Sequence, residues 1–155
     1  MQKIVEKINA DLPLHSLWDG FWVRSFKRRT LVISGSLDRI YYRDYDIVFK
    51  RVTFFNVPNQ WRDSQISGKN FFRLASKEEF LTHHLGFEPH HLPIFAIDIH
   101  YGVNDVSVKF TFFIVAKNVY LNKCEEPDND PGCYYTDTFE TDPANSFSNK
   151  VVRKQ

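Results

Sequence analysis

Apolar and polar residues alternate over much of positions 17–116 of this chain, and only two stretches keep a helical rhythm instead. Residues 2–9, QKIVEKIN, place Ile4, Val5 and Ile8 on one face, and Pro13 bars continuation, so a short helix is predicted there. From Leu17 to Lys27 the alternation puts Trp18, Trp22 and Phe26 on one side and Phe21 and Val23 on the other. In RTLVISGSLD, Leu31, Ile33 and Leu37 share a face opposite Thr30, Ser34, Ser36 and Asp38, the pattern of a half-buried strand. The next run, YDIVFKRVTFFNV, is β-branched and aromatic up to Pro58. Its alternation slips at Lys50 and Arg51, which predicts a bulge. Residues 59–75 are looser, with Ser67-Gly68 as a turn signal.

The second helix has both ends written into SKEEFLTHHLG. Ser76 is the expected N-cap with Glu79 three residues on, a capping box. Glu78 and Glu79 favour the positive end of the dipole, and Gly86 supplies a left-handed closing residue. Two strands, IFAIDIHY and VSVKFTFFIVA, then flank GVND and predict a hairpin over 94–116. Taking Val103 and Asn104 as the turn places His100 opposite Ser107, Asp98 opposite Lys109 and Ala96 opposite Thr111. The other face pairs Tyr101 with Val106, Ile99 with Val108 and Ile97 with Phe110, so one side is polar and the other apolar. The fold expected is α+β: a single antiparallel sheet of about five strands, with one main helix, 77–85, packed across one face. The domain would span 1–123. Residues 124–155, rich in Pro, Asn, Asp, Gly and Ser, read as an acidic loop or tail.

Composition sharpens this picture in one respect. Fifteen Phe, seven Tyr and three Trp against one Met lean the chain towards sheet. The formal net charge of +1 argues against a protein built mainly to grip nucleic acid. The charge is segregated, however. Residues 1–123 carry seventeen Lys and Arg against twelve Asp and Glu, whereas 124–149 carry seven acids and no Lys or Arg. With no apolar run near the length of a bilayer span and no signal-peptide pattern, a cytoplasmic protein is expected. Cys124 and Cys133 are then two thiols in a reducing compartment, and would be a plausible bridge only in a secreted chain.

Candidate chemistry centres on THHLGFEPHHLPI, which holds four of the six histidines. His84 falls on the apolar stripe of its helix with Phe80 and Leu81. His83 points about 100° away. His90 and His91 lie between Pro89 and Pro93. His84 and His90, with His100 from the neighbouring strand, are the weak candidates for a metal. The close cysteine pair of a zinc finger is missing, so helix punctuation and packing are the better explanation and no metal or cofactor is expected. Asp98, His100 and Ser107 mimic a triad, but Ser107 would sit flat in a strand, and an Asp98–Lys109 ion pair is preferred. A calcium-loop pattern over 126–137 fails at Pro131, where glycine is required. Lys27, Arg28 and Arg29, beside aromatic residues, are the candidates for nucleic-acid contact.

Residues 15–57, with His15 and Asp19 ahead of RRTLVISGSLD and YDIVFKRVTFFNVP, resemble small bacterial α+β proteins, several of them immunity proteins of polymorphic toxin systems. In those families the His and Asp are typically adjacent, whereas three residues separate them here. The resemblance implies a protein that occludes a toxin. The function expected is therefore a non-enzymatic, intracellular protein-binding domain, anchored by Trp18, Trp22 and Trp61. The acidic segment 125–142 would steer it to a basic partner. The alternatives are a nucleic-acid-binding domain and a metal-dependent hydrolase.

Overall fold

The computed structural model describes residues 1–12, 20–36, 45–62, 72–84, 86–103 and 106–123. Helix α1, Gln2–Asp11, forms because Val5, Ile8 and the following Leu12 repeat at helical spacing, and all three are buried. It stops at Leu12, whose extended backbone suits the residue before a proline. Asn9 Nδ2 donates to the carbonyl of Phe72 at 2.6 Å, fixing the helix to the second sheet.

The single five-stranded sheet with a main helix is overturned. The described residues form nine strands in two antiparallel sheets, with two short helices. The first sheet contains β1 (Gly20–Lys27), β2 (Thr30–Ser36), β3 (Tyr45–Lys50), β5 (Gln60–Trp61) and β9 (Asn118–Lys123) in the order β5-β1-β2-β3-β9. The second contains β4 (Phe54–Phe55), β6 (Phe72–Leu74), β7 (Ile94–Val103) and β8 (Val106–Val115) in the order β4-β8-β7-β6. Their inner faces share one core, in which Phe21, Leu31, Ile33, Ile47, Phe49 and Val119 meet Phe72, Phe95, Ile97, Ile99 and Ile114. Phe49 touches Phe72 and Phe95 edge-on, with ring centroids 5.7 and 5.5 Å apart. α1 lies against β6 and β9, the edge strand of each sheet, and so closes one side of the sandwich.

The physical reason for the difference is at Arg51. What reads as one strand over 45–57 is two, because Arg51 adopts φ +53° and turns the chain from the first sheet into the second. The bulge signal at Lys50 and Arg51 marks this corner. A second crossing runs alongside it, where β8 ends and β9 begins. Lys117 N–H donates to Lys50 C=O at 3.1 Å, and Thr53 N–H donates to Val115 C=O at 2.9 Å.

The hairpin is present, but its register lies two residues from the expected one. Asp98 pairs with Thr111, His100 with Lys109 and Val103 with Val106. An even shift leaves every side chain on its expected face. It also carries the pairing on to Val103 and Val106, which keeps β-branched Val103 in the strand.

The second helix, α2, is Lys77–His83, shorter than expected, and covers only one end of the outer face of β7 and β8. Ser76 Oγ accepts from Glu79 N–H at 3.1 Å, but the Glu79 carboxylate is held by Arg73, so only half of the capping box forms. Gly86 has the expected positive φ, +93°. Among the described residues no helix is long and apolar enough to cross a membrane.

Candidate binding site: the open edge of β8

Strand β8 has ten residues, and its outer neighbour β4 has only two, paired as Phe54 with Val115 and Phe55 with Ile114. The pairing ends one residue further on, at Asn56. Its backbone N–H donates to Phe113 C=O at 3.2 Å, and its side-chain Oδ1 accepts from Phe113 N–H at 2.6 Å. Alternate residues of an antiparallel strand direct both backbone groups to the same side. Val115 and Phe113 therefore face β4, and Thr111, Lys109 and Ser107 face the same way beyond it. No described residue pairs with the outer backbone groups of these three.

The side chains along this edge differ between the two faces. On the inner face, Val108 and Phe110 remain 38% and 47% exposed, and Phe110 meets Tyr101 edge-on at 5.5 Å. On the outer face, Asp98 accepts from Arg73 at 3.0 Å, Lys109 at 3.0 Å and Thr111 at 2.8 Å. Burial works to raise the Asp98 value, but these hydrogen bonds outweigh it and hold the carboxyl below its ordinary range. Arg73 also forks onto Glu79 at 2.9 and 2.6 Å. Its bonds to Glu79 and then to Asp98 hold the guanidinium charged more firmly than usual, and they depress Glu79 in return. The network ties β6, α2, β7 and β8 together.

The expected Asp98–Lys109 pair is therefore present, on a diagonal rather than directly across. His100 Nδ1 lies 3.2 Å from Ser107 Oγ, but Asp98 is committed to Arg73, Lys109 and Thr111. The triad geometry does not assemble. His84 sits at the end of α2 with Phe54, Phe80 and Phe113 around its ring, at centroid distances of 4.7, 5.0 and 5.5 Å. His90 and His91 are the central residues of a turn closed by Leu92 N–H and Pro89 C=O, and both are exposed. Their φ values of +42° and +58° fit a type I′ turn. The structure thus separates His84, His90 and His100. Among the described residues no three His, Cys, Asp or Glu are arranged to hold a metal ion. The open groove of about 590 Å³ between Met1 and residues 88–94 is lined by Lys77 and Glu88, bonded to each other at 2.9 Å, and by His90 and His91.

Of the tryptophans, Trp61 is a core residue, 2% exposed and stacked on Phe21 at 5.6 Å. Trp22 is half-buried beside Ser34 and Gln60 on the outer face of the first sheet. Trp18, the resemblance residues His15 and Asp19, and the segment 124–155 with Cys124 and Cys133 lie outside the described residues. The open edge was missed in the sequence. Its one signal is that VSVKFTF alternates for longer than the two residues of β4 can cover. Comparison of the chain with protein-family models, curated proteins and solved structures finds no match.

Proposed function

We propose that the protein is a non-enzymatic binding domain that takes a polypeptide partner as an added strand on the edge of β8. The supporting observation is the row of outward N–H and C=O groups at Ser107, Lys109 and Thr111, repeating about every 6.8 Å along a strand. An extended peptide backbone matches that repeat with both donors and acceptors. Val108 and Phe110 add an apolar requirement, so the partner segment carries apolar side chains at alternate positions. In the immunity-type form of this reading, drawn from the resemblance over residues 15–57, the partner is a toxin whose working surface is occluded. The acidic segment 125–142 would speed the approach of a basic one.

The test starts from a partner isolated by native pull-down. Amide exchange at Ser107, Lys109 and Thr111 is expected to be fast in the isolated protein and slow in the complex. Ser107→Pro removes an outward donor without touching the β7 pairing. Combined with Phe110→Lys, it should weaken binding about tenfold or more, since each lost hydrogen bond counts for about 1 kcal/mol. Unchanged affinity, with those amides still exchanging in the complex, would exclude the edge as the docking surface.

A further inference from the structure

The two corners where strands change sheets gather cations that are far apart in the sequence. The β1–β2 turn has Lys27 paired with Thr30 and only Arg28-Arg29 between them. Thr30 pairs in turn with Lys50, and Lys50 with Asn118. Arg51 forms the first corner, and Lys117 bonds to Lys50 at the second. Arg29 is anchored there as well, since Val52 N–H donates to its carbonyl at 2.9 Å and its Nε donates to Val52 C=O at 3.2 Å. Lys27, Arg28, Arg29, Lys50, Arg51 and Lys117 therefore share one end of the sandwich. The segments that build it, 25–32, 48–57 and 113–121, contain no Asp or Glu.

Two contrasts separate this end from an ordinary solvated turn. Lys7, Arg24, Arg73, Lys77 and Lys109 are all in ion pairs elsewhere. None of Lys27, Arg28, Arg29, Arg51 and Lys117 pairs with a described acid. Moreover, Arg28, Arg29 and Arg51 hold φ values of +50°, +61° and +53°. That backbone favours Asn or Gly, so long cations are kept at positions where they cost stability. Beside them Phe26 is 50% exposed and rests on Phe55, with centroids 4.8 Å apart.

We infer that this end is a binding site for single-stranded nucleic acid, with the cations on successive phosphates and Phe26 as a stacking platform for a base. The cations span four adjacent strands, about 14 Å at the usual strand spacing, enough for several phosphates. The exposed ring favours an unpaired base over a duplex, whose bases are already stacked. The site is independent of the β8 edge and does not rest on the reading given for it.

The experiment measures fluorescence anisotropy of labelled random 15-nucleotide DNA and RNA between 50 and 200 mM salt. Five or six phosphate contacts predict a slope of log K against log salt of roughly −3.5 to −4.2 for single strands. Arg28→Asn with Arg29→Gly gives the turn its preferred residues, which offsets the lost Arg29 Nε bond to Val52 C=O, so the variant should melt close to the parent. It should nevertheless bind at least tenfold more weakly, with a slope shallower by about 1.4. Phe26→Ser should weaken binding at least fivefold and leave the slope unchanged. No binding at 50 mM salt with 100 μM protein would overturn the inference. So would equal binding of polyglutamate with Phe26→Ser indistinguishable from the parent, which would identify an acidic protein surface as the ligand.

Discussion

His84 is held in its neutral form by a relay that leaves no alternative assignment. Asn56 Oδ1 already accepts from Phe113 N–H, so Asn56 Nδ2 must donate to His84 Nε2, 3.2 Å away. That nitrogen needs its lone pair, which puts the proton on Nδ1. Burial first, and then the neighbouring His83, lower the His84 value below that of an exposed histidine. The unfolded chain therefore takes up this proton at higher pH than the folded one. The stabilisation is complete above the ordinary histidine value of about 6.5 and is lost as pH falls through the lowered folded value. Melting temperature should drop between pH 7.5 and 5, and His84→Gln should flatten that part of the curve. An unchanged pH dependence in the variant would refute this role. Asp98 and Glu79, also depressed, act in the more acidic window below about pH 4.5.

At the scale of elements, the strained corner makes a separate forecast. Arg51→Gly removes the Cβ clash of a left-handed residue, about 1–2 kcal/mol, and increases the freedom of the unfolded chain, about 0.4–1 kcal/mol. The net expected is a gain of about 0.5 kcal/mol in urea unfolding, with Arg51→Val losing about 1 kcal/mol or more. The same corner shows why the sheets were only partly legible. α1, the cores of β1 to β3, the cap at Ser76 and both strands of the hairpin follow from periodicity and local chemistry. The crossing at Arg51 carries no glycine to announce it. β4, β5 and β6 have two or three residues each, so a partner strand defines them rather than any pattern of their own. β9 has a clear alternation in Val119 and Leu121, but only Ala116 and Lys117 separate it from β8, with no Gly or Pro to mark the second crossing. The candidate sites divide likewise. Lys27 to Arg29 stand out in the sequence, whereas Lys50, Arg51 and Lys117 join them only through the two corners. The edge of β8 is a property of strand order, which no local pattern encodes.

For the whole molecule, the position of α1 sets an order of events. The helix occupies residues 2–11, yet it rests against β6 and against β9, whose last residue is Lys123. β9 in turn needs β3 as its neighbour, and the paired corners join residues 50–53 to 115–117. Contacts this distant in sequence slow folding, because the loop between them must close before they contribute. Pulse-labelled hydrogen exchange during refolding should show α1 and β9 amides gaining protection together, in the last phase. Protection of α1 well before β9 would contradict this. On the ribosome the consequence is sharper. α1 emerges before either strand it rests on, and its seat is completed only by β9, about 110 residues after Leu12, so part of its apolar stripe of Val5, Ile8 and Leu12 stays in water for that interval, available to any chaperone that recognises such a stripe.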